Sequence, residues 1–248
     1  MNSSLRCSGC GAVTAPLEPR PFRCPKAGED GADHVLVRCL EVVEAAPFFD
    51  DEPNPFVRYR RLTHAWHTAM AIGLSDAQFV SLVCTLDARV AAIDGRGFHE
   101  TSLRFGEVWV KDETSNVAGS HKARHLMGLM IWLRVAERID PSLAGQRLAI
   151  ASCGNAALGA AVVARAAERT LEVFVPADAP PTIVARLRDL GARVTKCARE
   201  PGLTGDPGRS PRNSPPPLPR STGSSSRWEA VPSRAPASPD WTRPTPPA

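Results

Sequence analysis

Three observations in this 248-residue chain predict an α/β fold, an open and mostly parallel sheet with flanking helices. From Glu107 to the region of Val194, short apolar runs alternate with helix-period segments. Punctuation falls between them: Asp140-Pro141 and Gly191 where helices should stop, Pro181 where one should start. A hydrophobic share of 43% against 23% charged residues is enough to fill a core. Alternation at this spacing builds βαβ units, whose strands lie parallel.

Each element has a local reason. Residues 1–45 form a cysteine-containing, ribbon-like segment with Cys7, Cys10, Cys24 and Cys39. An α/β domain follows over 46–200. Arg58 to Ile72 reads as a helix, with His64 and His67 on a partly buried face rather than on a metal. Ser75 and Gln78 have capping-box spacing, and Phe79, Leu82, Val83, Leu86, Val90 and Ile93 recur at helical period, predicting a helix over 75–93. Val108–Val110 is a short strand, followed by a helix from Lys122 to Arg138 and a strand at Leu148–Ala151. Asn155 to Arg169 is an Ala-rich helix, Leu171–Val175 a strand, Pro181 to Leu190 a helix closed by Gly191, and Val194 lies in a last strand.

Beyond residue 200 the character changes. Of the 48 residues from Pro201 to Ala248, 25 are Pro, Ser or Gly. Such a stretch cannot bury enough apolar surface to offset its ordering entropy, so 201–248 is expected to be a disordered Pro/Ser/Arg-rich tail. Its six arginines against Asp206, Glu229 and Asp240 carry +3 of the chain's net +4. The remainder is close to neutral, which argues against a nucleic-acid partner. No apolar run reaches membrane-spanning length and MNSSLRCSGC has no apolar signal core, so neither membrane nor secretion is expected and a cytoplasmic location follows. Seven cysteines in that setting suit reduced thiols or metal ligands rather than disulfides.

Two loops carry the chemistry. KDETSNVAGSHKARH places Ser120, His121 and Lys122 at the opening of one helix, and ASCGNAALG places Ser152, Cys153, Gly154 and Asn155 at the opening of the next. Ligands of an open parallel sheet gather at the carboxyl ends of its strands, and consecutive parallel strands would bring both turns to one edge. A lysine at a helix N-terminus feels the positive end of the dipole, which favours its neutral, nucleophilic amine. Small residues with free N–H groups at a helix start suit a carboxylate or phosphate. A lysine that sheds its proton beside an anion-binding turn is equipped to hold an aldehyde cofactor as a Schiff base. The plain alternatives are a surface lysine at a helix start and a capped tight turn.

VWVKDETSNVAGSHKAR followed about thirty residues later by ASCGNAALG resembles the fold-type II pyridoxal-phosphate enzymes of the tryptophan-synthase-beta-like superfamily, threonine synthase most of all. The resemblance runs over roughly 1–207, with the N-terminal cysteine region, NPFVRYRRL and the 192–207 stretch also similar. It implies that Lys122 binds pyridoxal 5'-phosphate, that Asn155 contacts the ring hydroxyl, and that Gly154 belongs to the cofactor loop. It implies also that the 152–156 loop, with Ser152, Cys153 and Ala156, binds the carboxylate of a small amino-acid substrate. The implied activity is elimination or replacement at the beta or gamma carbon, and the implied assembly is a homodimer. The sequence departs from the family pattern in several places. His121 stands where Phe is common, Cys153 and Ala156 stand where hydroxyl residues are frequent, and FHETSLRF replaces the usual entry to the first cofactor-bearing strand. No phosphate loop or ring-nitrogen partner is recognisable after Pro201. The alternative expectation is a truncated, inactive homologue or out-of-frame product.

The first residues raise a separate question. Cys7 and Cys10, with Gly9 and Gly11, have the spacing of a metal knuckle, and Cys24-Pro25 resembles the start of a second, with Ala27 where its partner belongs. Zinc at Cys7, Cys10, Cys24 and Cys39, with His34 as the alternative fourth ligand, is the metal expectation. Reduced, partly buried thiols are the other reading.

Overall fold

The computed structural model describes residues 2–15, 17–28, 33–41, 51–197 and 226–227. The expected tail, 201–248, therefore lies outside the described residues except for Ser226–Arg227, as do the junction at 42–50 and the end of the α/β domain at 198–200.

The chain is α/β. β1 (Asn2–Cys7) and β2 (Leu36–Glu41) form an antiparallel ribbon in which Cys7 pairs with Leu36 and Ser4 with Cys39. Three helices come next: α1 (Pro55–Arg58), α2 (His64–Ala71) and α3 (Asp76–Asp94). The single helix expected over 58–72 is interrupted. Asn54 accepts from the Phe56 N–H to cap α1, with Pro55 at its first position, and Arg60–Leu62 is only a 3-10 turn. Thr63 then takes extended backbone (φ −101°, ψ 141°) and caps α2 by accepting from the Trp66 N–H, so a second start signal inside the apolar pattern ends the first helix. The capping box at Ser75 and Gln78 is formed, and Gly95 closes α3 in the left-handed region at φ 82°.

β3 (Leu103–Phe105) and β4 (Trp109–Lys111) make an antiparallel hairpin of their own. Here the structure corrects the sequence reading. β4 starts one residue later than expected and does not belong to the parallel sheet. The 111–122 loop therefore does not follow a strand of that sheet.

The remaining elements keep their order: α4 (Lys122–Ile139), β5 (Leu148–Ala151), α5 (Asn155–Ala166), β6 (Leu171–Pro176), α6 (Pro181–Asp189), β7 (Arg193–Cys197) and β8 (Ser226–Arg227). The sheet runs β7-β6-β5-β8 with every pair parallel. α5 stops at Ala166 rather than Arg169, because Glu168 adopts φ 56°, and Arg169 leaves the helix to donate to the carbonyls of Leu143 and Gln146 and to pair with Glu137.

α5 lies at the centre and packs against α3, α4 and α6. Its buried face is Ala157, Gly159, Ala160, Ala161, Val162, Val163, Ala164 and Ala166. Side chains this small let neighbouring helices come close, and alanine favours the helix itself. Phe79, Val83, Met127, Met130, Val135, Leu148, Val173 and Leu187 complete the core around it.

Candidate active site

Lys122 is the first residue of α4, and Asn155 is the first residue of α5. Since β4 is not a neighbour of β5, helix packing rather than strand adjacency fixes how α4 and α5 lie against each other. Gly159 decides how closely. A Cβ added there would stand 3.1 Å from Cα of Ala123 and 3.2 Å from Cδ1 of Leu126, so the crossing point of α4 and α5 lies one residue beyond Lys122. The 3-10 turn Val117–Gly119 packs against α5 as well.

The loop before Lys122 is held in place by a polar network. Glu113 accepts from Thr101 Oγ1 at 2.6 Å, from Asn116 Nδ2 at 3.0 Å and from Arg124 Nε at 2.7 Å. Burial would raise the Glu113 carboxyl, but the bonds from Arg124 and Thr101 and the charges of Arg124 and Lys111 outweigh it and hold the group below the ordinary carboxylate range. Asn116 is fully buried and also donates to the Ser120 carbonyl at 3.0 Å, while its Oδ1 has no partner among the described residues. Asp94, at the end of α3, accepts from the Ala118 N–H at 3.1 Å. That bond helps hold Ala118 at φ 54°, beside Gly119 at φ 69°. Two consecutive left-handed residues turn the chain sharply into α4, and Ser120 Oγ accepts from the Lys122 N–H at 3.3 Å. None of Thr101, Glu113, Asn116 or Arg124 stands out in the sequence, where Lys111, Asp112 and Glu113 read as a polar strand end. An acid and an arginine flanking the loop on either side of its lysine were the available signal.

Lys122 itself is exposed. His125, one turn further on, is held below the ordinary imidazole value first by burial and then by the Lys122 charge. The second loop follows β5 directly: Ser152 donates its N–H to the Phe174 carbonyl at 3.1 Å, tying the loop to β6. Asn155 and Cys153 are exposed, while Ser152, Gly154 and Ala156 are half-buried. Gly154 is the N-cap of α5, no side chain caps the helix, and an added Cβ at Gly154 would meet nothing within 4 Å. The helix start thus presents backbone N–H groups beside open space, with the Ser152 hydroxyl 3.4 Å from the Gly154 nitrogen.

Residues 98–211 match a family model described as "Pyridoxal-phosphate dependent enzyme". This segment is thus similar to that family over somewhat less than half of the chain. It includes both loops, and its last residues, 198–211, lie outside the described ones. Solved structures similar to this chain include a hydrogen sulfide-producing enzyme from Fusobacterium nucleatum, at 18% identity and a TM-score of 0.34, covering 44% of this chain and 36% of that one. Threonine deaminase isoform 2 from Solanum lycopersicum matches at 19% identity and a TM-score of 0.35, covering 51% of this chain and 35% of that one. Serine racemase from Dictyostelium discoideum matches at 20% identity and a TM-score of 0.35, covering 48% and 39% respectively. The chain thus spans little more than a third of the length of these structures. No curated protein matches it.

The donor set fits the cofactor's chemistry as far as the described residues go. An exposed primary amine suits the aldehyde, and an uncapped helix start suits an anion.

The N-terminal ribbon gathers a different set. Cys7, Cys10, Cys24 and His34 lie together, whereas Cys39 does not join them. The strand register explains this correction. Cys39 sits opposite Ser4, three residues along β1 from Cys7, which is about 10 Å of strand. Burial raises the Cys7 thiol, but N–H groups of Cys10 and Gly9 outweigh it and bring it to about 6. Burial pushes the Cys24 thiol up to about 11, with Cys10 and Cys7 adding to the rise. Among the described residues no helix is long and apolar enough to cross a membrane.

Proposed function

We propose that the chain is a pyridoxal-phosphate-dependent amino-acid lyase or synthase of threonine-synthase-like type, catalysing elimination or replacement at the beta or gamma carbon. The observation that carries this reading is the close crossing of α4 and α5, where a Cβ on Gly159 would meet Ala123, the residue after Lys122. The match of residues 98–211 to the enzyme family supports it.

Lys122 would hold the cofactor through Nζ and, once substrate is bound, would be the base for the proton on the substrate's Cα. The cofactor, when bound, supplies an electron sink for the pair left at that carbon. The 152–156 loop receives the substrate carboxylate on the free N–H groups of α5, with the Ser152 hydroxyl beside them. The Asn155 side-chain amide would hold the cofactor ring. Glu113, Asn116 and Arg124 are positioning residues that hold the loop carrying Lys122.

The test is to add pyridoxal phosphate to the purified chain, reduce with borohydride and locate any pyridoxyl group by peptide mass spectrometry. Selective modification of Lys122, with an absorbance band lost in Lys122→Ala, is the expected result. Modification spread over surface lysines in folded protein would overturn the proposal and favour a chain with no chemistry of its own.

A further inference from the structure

The ribbon of β1 and β2 holds a constellation that the cofactor site does not use. One ligand atom from each of Cys7, Cys10, Cys24 and His34 lies within 4.8 Å of all the others. Sγ of Cys7 is 3.5 Å from Nδ1 of His34, and the Cys10 and Cys24 sulfurs are 3.6 Å apart. A tetrahedron with zinc–sulfur bonds of about 2.3 Å and a zinc–nitrogen bond of about 2.0 Å has edges of roughly 3.5–3.8 Å. Those two separations have that length, and a disulfide, at about 2.05 Å, does not.

The backbone is folded to hold these side chains. Gly11, at φ 74°, donates its N–H to the Cys7 carbonyl at 2.9 Å and closes the first turn. The turn at Cys24 keeps a knuckle's form although Ala27 stands where a second cysteine would be. The Lys26 N–H donates to Cys24 Sγ at 3.4 Å, and the Ala27 N–H to the Cys24 carbonyl at 3.0 Å. The missing corner is filled from the approach to β2, where His34 stands two residues before Leu36, the partner of Cys7. Gly9 makes that possible: a Cβ there would lie 2.4 Å from the Asp33 carbonyl oxygen, so only glycine lets the first turn close on the strand that brings His34.

A second observation is independent of these distances. Among the described residues from 2 to 40, only Cys7, Pro21 and Cys24 are buried, while Val13, Leu17, Phe22, Val35 and Val37 are all exposed by 40% or more. A ribbon with so little apolar interior needs a staple to hold its shape.

We propose that Cys7, Cys10, Cys24 and His34 bind one zinc ion in a closed, structural site that fixes the N-terminal ribbon. Three thiols give up their protons to solvent and the imidazole binds through its Nδ1 lone pair, so the loaded centre carries a net charge of −1. Four protein ligands leave no position for water, which makes the centre structural rather than catalytic. The site stands whether or not Lys122 binds a cofactor.

Zinc in the full chain, purified without chelators, is measured by mass spectrometry of the metal, and the site is then reloaded with cobalt(II). The expected result is about one zinc per chain, with cobalt bands of a tetrahedral centre and strong thiolate-to-metal absorption. Cys39→Ser keeps the metal, and Cys10→Ser and His34→Ala lose it. A chain that carries no zinc and takes up no cobalt, or a weak octahedral cobalt spectrum, would overturn the proposal. So would loss of metal in Cys39→Ser with retention in His34→Ala. Should the ligand variants not fold, the wild-type cobalt spectrum alone decides between three thiolates with a nitrogen and any other set.

Discussion

Lys122 and His125 face the same solvent at the start of α4, and each is felt by the other. Burial is the larger cause of the lowered His125 value and the Lys122 charge the smaller one. Removing the charge should therefore raise the His125 value without restoring it fully. In Lys122→Met, the His125 titration followed by proton NMR should move upward yet stay below that of an exposed imidazole; an unchanged midpoint would mean that the two groups do not sense each other. The sign for stability follows from linkage. A folded-state value below the unfolded one of about 6.5 means that the unfolded chain binds the proton more readily. Stability from this residue is present above pH 6.5 and is lost as the pH falls from there through the folded value.

At the scale of elements, the site depends on how α4 and α5 cross. Gly159→Val would place methyl groups where Ala123 and Leu126 already stand at 3.1–3.3 Å from a bare Cβ. Overpacking of this kind costs about 1–3 kcal/mol. The expected outcome is a lower denaturation midpoint together with less borohydride-trapped pyridoxal phosphate on Lys122; full labelling at wild-type stability would place the crossing elsewhere. The helix starts at Lys122 and Asn155 were legible in the sequence, because small residues and glycines precede helix-period segments there. The reason that they meet was not. Sequence order suggested neighbouring parallel strands, but β4 pairs with β3, and the contact is made by a glycine whose packing partner lies 36 residues earlier in the chain. The ribbon shows the same limit in reverse. Knuckle spacing marked Cys7 and Cys10, whereas the choice of His34 over Cys39 depends on strand register, which local spacing does not encode.

For the molecule as a whole, the informative surface is the hairpin of β3 and β4. Leu103, Val108, Trp109 and Val110 are exposed by 57%, 70%, 63% and 49%. Among the described residues the two strands pair only with each other, and every residue of β4 is exposed. Open strand edges that carry β-branched and aromatic side chains are templates for pairing with another chain. Among the described residues β7 is an edge of the parallel sheet, and its residues too are largely exposed. Self-association through the hairpin is the expected behaviour of the purified chain at high concentration. Val108→Glu combined with Val110→Lys places charges on that surface and leaves the buried core around α5 untouched. Sedimentation velocity across a concentration series should then show less associated material for the double variant than for the wild type, at equal helical content by circular dichroism. Equal association in both proteins would shift the interface to the β7 edge.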